Sequence, residues 1–150
     1  MTPDIYMLVF FGVFFLGLIA VAIFFLIEQQ NILKAIQPQN RLMRPGEVWL
    51  QLIPVFGLVW QFIVVIRISE SIQREFASWQ NDNIIGLPSV QVVDVINTRP
   101  TYDIGLAFCI LNCCGWIPIL GNIAAIAGVI CWIIYWSRIV EYRKKIQRKY

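Results

Sequence analysis

The phrase Ile-Pro-x-x-Gly occurs twice, as Ile53-Pro54-Val55-Phe56-Gly57 and Ile117-Pro118-Ile119-Leu120-Gly121. Each copy follows an apolar helical pattern and opens another that ends in charges, Arg67 and Glu70 after the first and Arg138 and Glu141 after the second. Proline removes a backbone donor and clashes with the preceding turn, so a helix cannot run through either copy undisturbed. The chain therefore reads as a duplicated helix–break–helix unit, with breaks at Pro54, Gly57, Pro118 and Gly121.

The medium follows from composition. Residues are 59% hydrophobic and 14% charged, against about 45–50% and about 25% in soluble domains. A soluble fold of 150 residues could not hide that much apolar surface. The expectation is one all-α integral membrane domain over 1–150, with three full transmembrane helices and a fourth, Pro/Gly-broken segment.

Residues 5–27 form the first span, too long for a signal-peptide core and without an A-x-A-like cleavage site after it. At ~1.5 Å per residue the run covers the hydrocarbon core. Residues 28–36 continue it at the interface, with Ile32, Leu33 and Ile36 expected to face the membrane. Residues 48–66 are the broken segment. Ile68, Ile72, Phe76 and Trp79 then follow at helical spacing, which predicts an amphipathic helix over 67–80 lying along or leaving the membrane surface. On its other face Glu70, Arg74 and Glu75 read as a solvated, salt-bridged surface. Residues 81–103 are a polar loop in which 90–96 has a strand-like pattern. Between Asp103 and Arg138 there is no charge, which suits a helical hairpin over 104–136. Residues 137–150 form a basic helical tail.

Charge sets the topology. The tail holds six of the twelve Lys and Arg residues, so the C-terminus is expected in the cytoplasm. If 48–66 crosses with a kink, Lys34, Arg41 and Arg44 lie outside and nine basic residues inside. If it dips in and returns, the N-terminus is outside and all twelve lie inside. The duplicated motif favours the second arrangement, and Trp49 and Trp60 would then stand at similar depth on two legs. Irregular backbone survives in lipid only where protein or water covers its polar groups.

No histidine is present, which removes the usual ligand of haem, copper, di-iron and many zinc sites and the usual base of nucleophile arrangements. Cys109, Cys113, Cys114 and Cys131 match no zinc-ribbon or ferredoxin spacing. The packing reading is stronger than the metal one. Gly105, Cys109 and Cys113 form a small-residue stripe answered by Gly121, Ala124, Ala125, Gly128 and Cys131, which lets helix backbones approach in lipid. Gln51, Gln61, Asn112 and Asn122 are read as interhelical hydrogen bonds or caps, with a solute path as the alternative. Trp132, Tyr135, Trp136 and Tyr142 read as interfacial anchors. Arg143, Lys144, Lys145, Arg148 and Lys149 suit anionic lipid headgroups rather than nucleic acid.

The stretches 45–54, 60–65 and 131–136, the last followed by the basic tail, resemble small multi-span bacterial membrane proteins of unassigned function. That resemblance implies a bacterial inner membrane and brings no activity, cofactor or catalytic residue. The expected function is a non-catalytic accessory or scaffold subunit of a larger membrane complex, partnered by lipid and by that complex or by further copies. The alternative is a homo-oligomeric channel or small-solute transporter that uses half-helix dipoles at the breaks.

Overall fold

The computed structural model describes residues 3–82, 99, 101–115 and 121–149. Four α-helices are present among the described residues: α1 (Pro3–Ala35), α2 (Phe56–Asp82), α3 (Tyr102–Cys114) and α4 (Gly121–Gln147). A 3-10 helix (Pro45–Leu52) precedes α2. No strand occurs among the described residues. The strand-like 90–96 stretch, most of the 81–103 loop and Pro118 lie outside them.

The protein is an all-α protein with three helices, α1, α2 and α4, long and apolar enough to cross a membrane. The three differ from those the sequence suggested. α3 has thirteen residues, about 20 Å at 1.5 Å per residue and short of a ~30 Å core. α2 qualifies because the 67–80 stripe is not a separate element but the continuation of the same helix.

Side-chain contacts fix the directions. Phe25 packs on Trp132, Tyr135 and Trp136, and Glu28 pairs with Arg143, so α1 and α4 run the same way. Gly105 lies against Val65 and Tyr135, whereas Asn112 meets Gln61 and Leu111 meets Gly128. α3 therefore runs against α2 and α4.

The molecule has two ends of different character. At one end almost every apolar residue of α1 from Ile5 to Phe24 is exposed, as are Ile123, Ile126, Val129, Ile130 and Ile133 of α4. The other end is a packed core. Ile32, Leu33 and Ile36 are fully buried there with Ile68, Ile72, Ile139 and Ile146. This corrects the expectation that Ile32, Leu33 and Ile36 face the membrane; the 67–80 stripe, expected to lie along or leave the membrane surface, is covered by protein. Both stripes face one another and α4, because apolar surface that leaves the bilayer must find protein or meet water. Phe76 completes the contact edge-on to Tyr142, 5.9 Å between ring centroids.

Candidate functional site

The first break is built from its residues upward. Pro45 opens the 3-10 helix and Ile53 closes it, its N–H donating to the Leu50 carbonyl at 3.2 Å. Pro54 cannot extend that pattern. The chain reverses at Val55, where Phe56 N–H donates to the Pro54 carbonyl at 2.7 Å. Val55 has φ 65°, a left-handed conformation that a β-branched residue rarely adopts. α2 then starts at once, Gly57 N–H reaching the Ile53 carbonyl at 2.7 Å.

The two legs lie side by side. Trp60 Nε1 donates to the Glu47 carbonyl at 2.8 Å, so Trp49 and Trp60 stand near one level. Further from the tip, Arg67 donates to the Leu42 carbonyl at 3.0 Å and Leu42 N–H donates to Ser71 Oγ at 3.0 Å. The segment from Asn40 to Ile53 is thus one leg of a hairpin and α2 the other. Its tip is apolar and open, with Val55 81% exposed beside exposed Leu52, Ile53 and Phe56.

Gly57 makes the closure. A Cβ there would overlap the Gln51 carbonyl oxygen, six residues upstream. The second motif repeats this relation: a Cβ on Gly121 would sit 2.9 Å from the Gly115 carbonyl oxygen, again six residues upstream. Both motif glycines thus face the carbonyl oxygen of the residue six positions back.

The predicted packing residues divide. Gly105 is buried, with Tyr135 Cε2 2.9 Å from where its Cβ would be. Cys109 and Ala124 are buried, and Gly128 meets Leu111. Cys113 is exposed and does not join the stripe. Each four-residue step turns about 40° past a full helical turn, so by Cys113 the row has rotated away from α4. All four cysteines are free thiols, and no cluster of metal-ligating side chains occurs among the described residues.

Two pairs of side-chain amides bond to one another. Gln51 Nε2 donates to Gln29 Oε1 at 2.7 Å, and Asn112 Nδ2 approaches Gln61 Oε1 at 3.4 Å. Gln29, buried in α1, was not singled out by sequence; its only signal is a polar side chain within the apolar stripe that ends at Ile36. Asn122 is exposed in the first turn of α4. Gln61 Nε2 and the Tyr135 hydroxyl are buried without a hydrogen-bond partner.

Aromatic anchoring also differs. Tyr135 is fully buried rather than interfacial. With Phe108, Trp132 and Trp136 it surrounds Phe25, at centroid separations of 5.5–6.4 Å and edge-on angles. Such pairs contribute about 0.5–1.5 kcal/mol each beyond burial. This cage docks α1 on the α3–α4 hairpin.

Glu75 is the largest correction. It is fully buried, not solvated. Its Oε2 accepts from Gln37 N–H at 3.1 Å and from Asn40 Nδ2 at 2.7 Å, and its Oε1 accepts from Trp79 Nε1 at 3.2 Å. Arg67, Ser71, Glu75 and Ser78 form a polar row beside the apolar one, and it holds the connection after α1. Glu70 behaves as expected of a surface residue, pairing loosely with Arg99 at 3.8 Å.

The basic tail is partly committed to protein. Arg143 turns inward to Glu28 at 3.3 Å. Lys145 pairs with Glu141 at 2.7 Å, and Lys149 Nζ stands 4.5 Å over the Trp79 ring. Lys144 and Arg148 are exposed. Arg143 is therefore removed from the headgroup set by an ion pair that ties α4 to α1.

No family model matches the chain, and no curated protein or solved structure matches it either. The fold and site define a class only, that of an all-α protein with three apolar helices long enough for a membrane.

Proposed function

We propose that the chain is a non-catalytic scaffold or accessory subunit of a bacterial inner-membrane complex, anchored by α1 and by two hairpins that enter from the cytoplasmic side. The observation that carries the placement is a collar of charge. Phe25 packs on Tyr135, and Gly105 lies against Tyr135 and Val65. The first charge beyond these contacts on each helix is Glu28, Arg67, Asp103 and Arg138. On each of the four helices the apolar residues give way to charge within two or three residues of these contacts, as expected where a bilayer ends. The first hairpin folds back at Val55 with its legs side by side and an exposed apolar tip of Leu52, Ile53, Val55 and Phe56, which supports re-entry of 48–66 over a crossing. It also puts the N-terminus opposite the basic C-terminal tail.

The scaffold role rests on what α1 leaves uncovered. Its segment from Ile5 to Phe24 projects past its neighbours, exposed on every side, with nothing within 4 Å of where side chains on Gly12 and Gly17 would begin. Small and aromatic residues on a lone span suit contact with another helix. The buried amides and Glu75 are engaged in holding the bundle together, which supports packing over chemistry. Purification from native membranes in a gentle detergent, followed by mass spectrometry, tests the proposal. A larger membrane protein should copurify, and be lost when α1 contacts are altered by Gly12→Leu or Gly17→Leu. A chain that runs alone under every detergent condition contradicts it.

A further inference from the structure

We infer that the elbow leading into the first hairpin binds the phosphate of an anionic lipid headgroup. A cavity of about 410 Å³ is lined there by Pro38 and Pro45 together with Arg41, Arg44 and Glu47. A smaller one of about 210 Å³ adjoins it across Leu42, Met43 and Glu47 and reaches Trp60, Ile63 and Arg67 of α2. The pair offers three guanidinium groups against one carboxylate, with an apolar wall beside them. Basic pockets between membrane helices on the cytoplasmic side suit anionic headgroups. Arginine also suits phosphate by shape, because its planar fork can give parallel hydrogen bonds to two oxygens.

The basic groups are held ready. Arg41 Nε donates to the Ile36 carbonyl at 2.7 Å and its Nη2 to the Lys34 carbonyl at 2.8 Å, which ties it to the end of α1. Arg67 Nη1 donates to the Leu42 carbonyl at 3.0 Å. A guanidinium carries five N–H donors, so both arginines keep several for a ligand. Arg44 is exposed, and no carboxylate pairs with it among the described residues. Pro38 and Pro45 each fix a backbone angle, which lowers the cost of ordering the elbow around a ligand. The level also fits. Arg67 is the first charge on α2, and Trp60, which donates to the Glu47 carbonyl at 2.8 Å, lines the smaller cavity. Tryptophan favours the headgroup level. The inference takes one point from the placement proposed above, that the charged collar lies at a bilayer surface.

The test titrates full-length protein in neutral detergent with dioleoylphosphatidylglycerol and, separately, with dioleoylphosphatidylcholine, and counts bound lipid by native mass spectrometry. The anionic lipid should be retained preferentially. Arg44→Gln should keep its thermal midpoint and bind that lipid about fivefold more weakly, and Arg44→Gln with Arg67→Gln roughly 25-fold, from the usual contribution of each basic residue near a charged surface. Glu47→Gln should act the other way and tighten binding, a gain that damage to the fold would not give. Equal retention of the two lipids overturns the site. So does a loss in Lys144→Gln with Arg148→Gln as large as in Arg44→Gln, which would place the attraction in the tail. Displacement of the lipid by inorganic phosphate alone would make this a free-anion site and overturn the lipid assignment. The placement is read separately. In sealed vesicles a membrane-impermeant thiol reagent should reach Arg44→Cys, in a chain whose native cysteines are replaced by serine, from the same side as Tyr150→Cys. Reaction from the opposite side contradicts the placement, and lipid selectivity then still decides the site.

Discussion

Gly57→Ala should be the most damaging alanine substitution among the described glycines. The new Cβ would overlap the Gln51 carbonyl oxygen, which belongs to backbone and cannot swing aside. Forced rearrangement in a packed site costs about 1–3 kcal/mol and sometimes more, and this contact lies at the upper end. Gly105→Ala should approach it, because Val65 Cγ1 and the buried Tyr135 ring both stand in the way. Gly121→Ala should cost less, with the Gly115 carbonyl oxygen 2.9 Å away. Gly128→Ala, whose nearest neighbour is Leu111 Cβ at 3.6 Å, should be tolerated, as should Gly17→Ala. In these two the better helix propensity of alanine, about 1 kcal/mol over glycine, acts without a clash. Thermal unfolding in detergent reads the order directly. Equal midpoints for Gly57→Ala and Gly17→Ala would show that the two hairpin legs do not meet as described.

Removing the Glu75 carboxylate should rank next. Glu75→Ala leaves the Gln37 amide, the Asn40 side chain and the Trp79 indole short of an acceptor at once. A buried donor left unmade costs about 1–3 kcal/mol, so a loss of about 3 kcal/mol is expected overall. Glu75→Gln keeps one oxygen and should lose roughly 1 kcal/mol. The two variants differ in where they act as well as how much. Hydrogen exchange at Gln37 and Leu42 should accelerate strongly in Glu75→Ala, since these amides bond to α2 side chains. Unchanged protection there would mean that the polar row does not hold the connection.

The breaks were legible because proline and glycine act on backbone, and their effect needs no knowledge of distant neighbours. Pro54 ends one leg and Gly57 seats the next, as the letters imply. The Ile68–Trp79 row was legible as a stripe, but its covering was not. Apolar spacing says that a face avoids water without saying whether lipid or protein receives it. Ile32, Leu33 and Ile36 show the same limit: assigned to lipid by position, they close the core. Glu75 was hidden for the opposite reason. A carboxylate on a helix with charged neighbours looks solvated, and its partners Gln37 and Asn40 stand 38 and 35 residues away in sequence. Cys113 was placed on the stripe by counting fours, a count that drifts from the helical period within two turns. The fold class and the turn at Pro54–Gly57 were thus readable locally, and the polar and ionic ties between helices were not.

The central claim is that the 48–66 segment turns back inside the bilayer, so that α1 alone places the N-terminus across the membrane from the C-terminal tail. Sidedness of the two ends tests it most directly. In intact cells, a membrane-impermeant thiol reagent is applied to a cysteine-free chain carrying either Thr2→Cys or Tyr150→Cys. The account predicts labelling of the first and protection of the second until the membrane is breached. Protection of both ends alike would mean that α2 crosses, and would contradict the account.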